Sequence, residues 1–338
     1  MENLVIKNLK SEKTKKVPIW LMRQAGRYME EYRNIRSKFP DFINMCKNSD
    51  AVTEITLQPI KKFNFDAAII FSDILVILDA IGIDVNFVEG VGPIVNRPND
   101  IDKIKNLPNS LNYNKVFPCY ESIKNIKSNL DKPLIGFAAA PWTLATYFIE
   151  GKITKDLSIV KKFSYEYPVE MDNLIDLFTN LIIDHLKNQI EAGADIVQIF
   201  DTHAYQMDYY LHEKYSIKQL EKISKEIRKE HKETPISFYT KTDLIFKKYD
   251  IEKSINCISF NSNIDMNIAK KHFSKDICFQ GNLDPLLLVV GGNTMKKEVL
   301  KILANMQDRK FIFNLGHGIL PQTPVKNVHE LINIIKSY

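Results

Sequence analysis

The sequence predicts an α/β protein folded as one (β/α)8 TIM barrel over residues 1–338, and three observations lead to this prediction. Eight short apolar runs, each long enough for a buried strand, lie along the chain, and a longer segment that can form a helix follows each of them. In Val169–Ala192, apolar residues recur mostly at spacings of three and four, as on one face of a helix. No linker, low-complexity tract or internal repeat divides the chain, so we expect a single catalytic domain.

The predicted strands and helices follow one another in the order that a barrel requires. The strands are Pro18–Met22, Ala67–Phe71, Leu134–Ala138, Ile196–Phe200, Ile236–Tyr239, Ile255–Phe260, Ile277–Gln280 and Lys310–Asn314. The clearer helices are Asp50–Phe63, Val169–Ala192, Ser216–Glu230, Met295–Met306 and Val325–Lys336. After the second strand, residues 74–132 form a long insertion, in which Val85–Val95 predicts a hairpin that turns at Gly90 and Gly92. An insertion of this size is expected to form a rim or wall of a cleft.

Composition and charge exclude several classes of function. Lys and Arg total 46 against 41 Asp and Glu, and the net charge of +5 is too mild and diffuse to predict a nucleic-acid partner, although it would not oppose a polyanionic small substrate. The sequence has neither an apolar run of membrane-spanning length nor a signal-peptide core at its start, so we expect a cytoplasmic protein without a membrane partner. Glycine-rich nucleotide-binding motifs are also absent from the sequence.

The cysteines give no indication of a metal site or a disulfide framework. Cys46, Cys119, Cys257 and Cys278 lie far apart in the sequence, and no C-x-x-C pair occurs. We therefore expect reduced, buried thiols.

Two arginines, Arg23 and Arg27, stand four residues apart directly after the first predicted strand. The planar fork of an arginine binds a carboxylate through two parallel hydrogen bonds, so arginines at the carboxyl end of a buried strand predict a pocket for anions. The alternative is an ordinary pair of surface arginines on the first turn of a helix.

The carboxyl ends of the strands of a barrel meet at one mouth, where the working residues of such proteins lie. Besides the arginines, the residues that we expect at this mouth are Asp73, Tyr147, Thr202, His203 and His317. Asp73 is a lone acid among mostly apolar residues, where a partly desolvated carboxylate can stabilise a developing cation. His317 lies between two glycines, which let the backbone approach a ligand closely.

Each of these residues also has a purely structural interpretation. Asp73 could cap the helix that follows it, as could Thr202 and His203. Tyr147 could pack on neighbouring elements through its ring, and a lone loop histidine such as His317 often has a structural role. The residues alone leave these alternatives open.

Six motifs, spread from residue 17 to about residue 325, follow one another along the chain. They are Met22–Tyr28 with Tyr32, Arg33 and Arg36, Ala67–Leu75, Gly136–Ala138 with Ala140–Leu144, Phe200–His203, Gln280–Pro285, and Asn314–Pro321. Taken together, these motifs resemble those of the uroporphyrinogen decarboxylase family, and they cover nearly the whole chain.

The resemblance implies a single (β/α)8 barrel, usually a homodimer, that acts without a metal or an organic cofactor. Such an enzyme is a carboxy-lyase of haem biosynthesis. It removes CO2 from the four acetate side chains of its small-molecule substrate, uroporphyrinogen III, and produces coproporphyrinogen III. The positions that match the family's cleft are Arg23, Arg27, Asp73, Tyr147, Thr202 and His317, and Arg36 also fits the pattern.

The residues at these positions suit that reaction. Loss of CO2 from an acetate leaves a carbanion, and protonation of the pyrrole carbon beside the acetate turns the ring into a cationic electron sink. Asp73 is expected to stabilise that cation, with Arg23 and Tyr147 as the other catalytic residues. The arginines and His317 are expected to bind substrate carboxylates, and Tyr147 and Thr202 to orient one by hydrogen bonding. Because arginine is a poor acid in water, we expect carboxylate binding to be the main role of Arg23 and proton donation a secondary one.

Two departures from the family pattern lie beside the expected cleft, and both concern loop conformation. Lys152–Thr154 stands where the family tends to have glycines and a serine. Ala204 and Tyr205 stand where a pair of small residues is common.

Two other functions compete with decarboxylation. A methyltransferase of the corrinoid:thiol type, on the same fold, holds zinc through a His-x-Cys element, which this sequence lacks. A non-catalytic tetrapyrrole carrier would share the anion-binding mouth but has no use for Asp73, which would repel a polycarboxylate.

Overall fold

The computed structural model of the protein describes residues 3–10, 13–88, 90–97, 104–152, 154–247 and 250–338. Glu89 of the predicted hairpin and Ile153 of the divergent loop lie outside these ranges. Within them the strands are β1 (Ala68–Ile69), β2 (Asp84–Val88), β3 (Gly92–Asn96), β4 (Leu134–Ala139), β5 (Ile196–Asp201), β6 (Ile236–Thr240), β7 (Cys257–Phe260), β8 (Cys278–Leu283) and β9 (Phe311–Leu315).

The helices predicted from apolar periodicity are all present, with ends that differ by a few residues. In the described ranges the helices are α1 (Leu4–Lys10), α2 (Glu30–Arg36), α3 (Phe42–Cys46), α4 (Ser49–Phe63), α5 (Val76–Ala80), α6 (Tyr113–Lys127), α7 (Pro141–Glu150), α8 (Ser158–Glu166), α9 (Pro168–Ala192), α10 (Tyr209–His212), α11 (Lys218–Glu230), α12 (Met266–Ala269), α13 (Pro285–Val290), α14 (Gly292–Asn305) and α15 (Val325–Ser337). Short 3-10 helices lie at Ala204–Gln206, Asp243–Phe246 and Ile251–Lys253, and a π-helical turn lies at Glu213–Ile217.

Seven strands form one parallel sheet in the order β1, β4, β5, β6, β7, β8, β9. Neighbouring strands in this order are parallel throughout. Every residue of β4, β6, β7 and β9 is buried, as expected for parallel strands covered by helices. Seven of the eight predicted strands are therefore confirmed. Because the strands are parallel, their carboxyl ends lie at one edge, which we call the mouth.

The prediction of a full strand over Pro18–Met22 is wrong, because only one residue of this segment pairs as a strand does. Ile19 forms an isolated parallel bridge with Phe313 of β9. The Pro18 carbonyl accepts the N–H of Phe313 at 2.9 Å, and the Ile19 carbonyl accepts the N–H of Asp66 at 2.9 Å. The segment thus lies between β9 and the residues that precede β1.

Side-chain oxygens accept hydrogen bonds from backbone N–H groups that, in a longer strand, would pair with a neighbouring strand. The Leu21 N–H donates to Gln24 Oε1 at 3.2 Å, and the Met22 N–H donates to Asn314 Oδ1 at 3.0 Å. Pro18 has no N–H to contribute. The apolar run is buried as predicted, but amide side chains end its pairing after one residue.

The predicted hairpin forms as the antiparallel pair β2 and β3, from Asp84 opposite Asn96 to Val88 opposite Gly92. Its second strand is attached to the end of α7, since the Val95 N–H donates to the Gly151 carbonyl at 2.6 Å. The hairpin therefore supports α7, the helix on which Tyr147 lies at the mouth.

The core lies between the sheet and the helices around it. In α9 the apolar positions that predicted a helix face are buried, including Leu174, Phe178, Leu181, Ile182 and Leu186. Burial of each such side chain contributes about 1.5–3 kcal/mol relative to leaving it in water. At the start of α7, the buried Trp142 stacks on Tyr215 with ring centroids 5.9 Å apart and planes 7° apart. This packing fixes α7 at the end of β4.

Two expectations about the whole chain can be compared with these residues. The four cysteines are buried and form no disulfide, as the sequence predicts. None of the helices in the described ranges is both long enough and apolar enough to cross a membrane.

Candidate active site

Four residues predicted from the sequence meet at the mouth: Arg23, Asp73, Tyr147 and His317. The positive charge of Arg23 lowers the pKa of each of the other three, so its guanidinium lies among them. The carboxylate of Asp73 in turn raises the pKa of Tyr147. The structure thus brings together, from four distant parts of the chain, the acid, the cation, the phenol and the imidazole that the sequence predicts.

Arg23 stands in a turn whose backbone is left-handed, with φ of 59°. Its side chain lies against Gly318, because a Cβ atom at that glycine would come within 3.0 Å of the Cγ, Cδ and Nε atoms of Arg23. The Ile319 N–H donates to the Met22 carbonyl at 2.9 Å and holds the two segments together. The glycine beside His317 therefore makes room for an arginine, a role that its sequence context does not indicate.

Asp73 is half-buried and uses one carboxylate oxygen locally, since Oδ1 accepts the Leu75 N–H at 2.8 Å just before α5. Oδ2 accepts no hydrogen bond from a described residue. Burial raises the pKa of Asp73 to about 6, while the Leu75 N–H and Arg23 act to lower it. The alternative that Asp73 caps the helix is wrong, since the N-cap residue of α5 is Leu75 and the helix has no side-chain cap hydrogen bond. Asp73 accepts a hydrogen bond only within the turn before α5 and places a poorly solvated carboxylate at the mouth.

The raised pKa of Asp73 predicts that Asp73→Asn stabilises the protein at neutral pH. Between the unfolded pKa of about 3.9 and the folded value of about 6, the unfolded chain has lost its proton and the folded chain has kept it. Stability of the wild type therefore falls as the pH rises through this window, and about 3 kcal/mol is lost above it. The Asp73→Asn variant keeps the hydrogen bond from the Leu75 N–H. Because asparagine does not ionise, the variant does not lose stability in this pH window.

Denaturant unfolding of both proteins at pH 4.5 and pH 7.5 measures this effect. We expect the variant to gain most of its advantage in free energy of unfolding only at pH 7.5. An advantage of the same size at both pH values would mean that the charge of Asp73 is not its source.

Tyr147 lies half-buried on α7, with its ring centroid 4.8 Å from that of His203. Burial and the Asp73 charge raise the pKa of its phenol to about 12, against an opposing effect of Arg23. The phenol is therefore neutral near pH 7 and can donate a hydrogen bond. Its ring does pack, as the structural interpretation expects, but it packs at the mouth.

His317 and His203 are neutral imidazoles in this structure. Burial lowers the pKa of His317 to about 3, with further lowering by Arg23, Lys241 and His203. Burial and Lys241 lower the pKa of His203 to about 4, and the Nδ1 atom of His203 has no hydrogen-bond partner among the described residues. As a neutral imidazole, His317 offers a carboxylate one N–H as a hydrogen-bond donor.

Lys241 and Tyr205 complete the mouth. Lys241 was not predicted from the sequence, and Tyr205 was named only as a departure from the family pattern beside the cleft. Lys241 follows β6 directly, and its Nζ lies 5.3 Å from the centre of the Tyr205 ring. Tyr205 is one of the two residues that depart from the family pattern after His203. The position of Lys241 just after the fifth predicted strand is the signal in the sequence that indicates it.

Buried hydrogen bonds hold the His203 loop in place. Thr143 Oγ1, at the start of α7, donates to Asp201 Oδ1 at 3.0 Å and accepts the His203 N–H at 3.1 Å. Ser216 Oγ donates to the other oxygen of Asp201. The prediction that the His203 side chain caps the next helix is wrong, since that side chain makes no cap hydrogen bond at Ala204–Gln206.

Three predicted site residues, Arg27, Arg36 and Thr202, make no hydrogen bond or ion pair with Asp73 within the described residues. Arg27 is exposed, and its carbonyl accepts a hydrogen bond from Arg33 at 2.9 Å. Arg36 is half-buried and donates to the Phe39 carbonyl at 2.7 Å. Thr202 is half-buried beside His203 and makes no hydrogen bond to a described residue. The alternative that Arg23 and Arg27 share the first turn of a helix is wrong, since α2 begins only at Glu30.

A potential metal-ligand group exists elsewhere in the described chain. Glu191, Glu230 and His231 place ligand atoms within 4.8 Å of one another. They lie at the ends of α9 and α11, before β5 and β6 begin, and so at the edge opposite the mouth. Glu230 is also paired with Lys187 at 2.6 Å, so this surface group contributes nothing to the site.

Comparison with known proteins gives consistent results. The profile of the family described as Uroporphyrinogen decarboxylase (URO-D) matches residues 2–338. The uroporphyrinogen decarboxylase of Wolbachia pipientis wMel is 42% identical over 326 residues, which cover 96% of this chain and 94% of that protein. That of Rickettsia bellii is 41% identical over 326 residues, covering 96% and 95%. A solved methyltransferase from Methanosarcina mazei has a TM-score of 0.80 at 19% identity, over 99% of this chain and 97% of that one, which is a likeness of fold.

Proposed function

The chain belongs to the uroporphyrinogen decarboxylase family, and we propose that Asp73 and the groups around it at the mouth carry out that family's reaction. The reaction removes CO2 from the four acetate side chains of uroporphyrinogen III and yields coproporphyrinogen III. One observation carries the proposal: Asp73 is a half-buried carboxylate whose pKa is raised to about 6, and Arg23 and Tyr147 lie beside it.

The chemistry requires a cation to form at the pyrrole before CO2 leaves. A proton adds to the ring carbon beside the acetate, and the bond to the carboxylate carbon then breaks. Its electrons flow into the cationic ring. The Asp73 carboxylate accepts hydrogen bonds from pyrrole N–H groups and stabilises the ring while it is cationic. A preorganised charge in a poorly solvated site contributes about 3–4 kcal/mol to such a step.

The remaining side chains bind and orient the substrate. Arg23 binds a carboxylate through its planar fork, which is its main role. Because it lies near Asp73, it is in second place a proton donor. His317 donates an N–H to a carboxylate, and Tyr147 and Thr202 orient an acetate or a propionate by hydrogen bonding. Arg27, which is exposed, and Arg36, which is half-buried, lie on the same arginine-rich segment and attract further substrate carboxylates.

We also propose that the sheet closes into a (β/α)8 barrel with the insertion of residues 74–132 at its rim. The segment Pro18–Met22 occupies the eighth strand position. Its backbone bonds to Phe313 on one side and to Asp66 on the other support this placement. We propose a homodimer and a place in haem biosynthesis on the resemblance to the family, and a single domain over residues 1–338 and a cytoplasmic location on the sequence expectations given above.

The function is tested by incubating the purified, chelator-treated protein with uroporphyrinogen III without oxygen and separating the oxidised porphyrins by chromatography. We expect stepwise loss of four carboxyl groups, because the ring supplies the electron sink and no metal or organic cofactor is needed. Binding without conversion would favour the carrier. Loss of activity on chelation, with recovery on adding a metal, would contradict cofactor-free decarboxylation.

A further inference from the structure

Two cations, Arg23 and Lys241, face the same opening, and no carboxylate of the described residues lies within 4.0 Å of either one. Each lowers the pKa of His317, so both lie close to that imidazole. Surface lysines elsewhere in the chain commonly have an acid partner, as Lys127 does with Asp195 at 2.7 Å. Arg23 and Lys241 at the mouth have no such acid partner among the described residues, although their two positive charges repel each other.

The fold directs Lys241 inward. Side chains two residues apart on a strand point to the same face, and the buried Tyr239 of β6 stands two residues before Lys241, the first residue after that strand. The Tyr239 hydroxyl donates to the Gly316 carbonyl at 2.9 Å, directly beside His317. Lys241 continues this face toward the mouth, half-buried, with the Tyr205 ring on one side. A partly desolvated ammonium next to another cation is a ready site for an anion.

Lys241 lies on the side of the mouth formed by the loop after β5, with its Nζ 5.3 Å from the centre of the Tyr205 ring. The charge of Asp73 acts together with Arg23 on Tyr147, whereas Lys241 acts on His317 and His203. The Tyr205 ring lies 6.5 Å from the His203 ring, which in turn lies 4.8 Å from the ring of Tyr147, so this series of rings leads from Lys241 to the residue beside Asp73. A cation fixed on the carboxylate that leaves would stabilise the ground state and slow the loss of CO2.

We propose that Lys241 binds a substrate carboxylate that is retained in the product, namely a propionate, and so sets the position of the macrocycle over Asp73. This inference rests on the proposed function. It assigns to Lys241 a positioning role whose interactions are the same in substrate, intermediates and product.

The test compares Lys241→Met with wild type in anaerobic steady-state kinetics on uroporphyrinogen III and in inhibition by coproporphyrinogen III. We expect KM and the product inhibition constant to rise together by about tenfold to a hundredfold, as for loss of a charged hydrogen bond, with kcat changed less than about threefold. Lys241→Arg should recover most of the loss. Lys247→Met, which removes an exposed charge from the same loop, should behave as wild type.

Three results would overturn the inference. Unchanged kinetics in Lys241→Met would mean no contact with substrate. A higher KM with an unchanged product inhibition constant would place a reacting acetate on Lys241. A lower kcat at unchanged KM would give Lys241 a role in the chemical step. Lys241→Gln provides a second variant if the methionine variant unfolds, and absence of product with wild type would instead refute the proposed function.

Discussion

Replacement of Asp73 by Asn is expected to lower kcat by about 100- to 1,000-fold while leaving the fold intact. The variant keeps the Oδ1 atom that accepts the Leu75 N–H, so the turn before α5 is preserved. It removes only the negative charge. That charge is poorly solvated, as the pKa of about 6 indicates, and its effect on a nearby cation is correspondingly large.

The loss should appear in kcat rather than in KM. Asp73 accepts pyrrole N–H groups in the substrate and in the cation alike, but its charge attracts the ring only after protonation, so the larger part of its contribution is to the transition state. Before protonation, Asp73 repels the substrate carboxylates. KM of the variant is therefore expected to stay the same or to fall.

A control variant separates this local effect from a change in overall charge. Asp84→Asn removes a negative charge from an exposed position on β2 and should leave kcat and KM unchanged. Equal effects of the two substitutions, or a loss confined to KM in Asp73→Asn, would contradict the assigned role. Together with the stability gain expected at neutral pH, a large loss in kcat would mean that the site keeps a destabilising charge for its reaction.

The sequence predicted most of the fold because buried parallel strands are nearly all apolar and can be recognised one by one. It failed at Pro18–Met22, where the apolar pattern is that of a strand but the amide side chains of Gln24 and Asn314 take the backbone N–H groups. Gln24 is a near neighbour of Leu21, but Asn314 is distant from Met22 in the sequence. Local sequence patterns therefore predict that this segment is buried in the core. They do not predict how many of its residues pair with a neighbouring strand.

The site was predictable where one residue follows a strand and has a distinctive neighbourhood, as Asp73 and His317 do. Charge states were less predictable, because the burial that makes His317 neutral arises from segments far apart in the chain. Lys241 was missed for a related reason. In the sequence it lies between two threonines and resembles a surface lysine, and only the direction of Tyr239 shows that it points inward.

Gly318→Ala is expected to lower kcat/KM by about 100-fold without removing any functional group. Gly318 does not have the left-handed backbone that disfavours other residues, so alanine fits its backbone. The added methyl group would lie within 3.0 Å of the Cγ and Cδ atoms of Arg23 and must displace its guanidinium. A shift of about 1 Å in a positioning group can cost about 100-fold in rate.

A double-mutant cycle with Arg23→Ala tests this cause. Arg23→Ala alone should lower kcat/KM by about 100- to 1,000-fold through loss of the carboxylate clamp. It also removes the Cγ and Cδ atoms that the new methyl group would contact. Adding Gly318→Ala to Arg23→Ala should then cost less than about threefold, so the two effects are strongly non-additive. If Gly318→Ala costs the same in both backgrounds, its methyl group acts through the backbone of the His317 loop, and the role of Gly318 as a support for Arg23 is wrong.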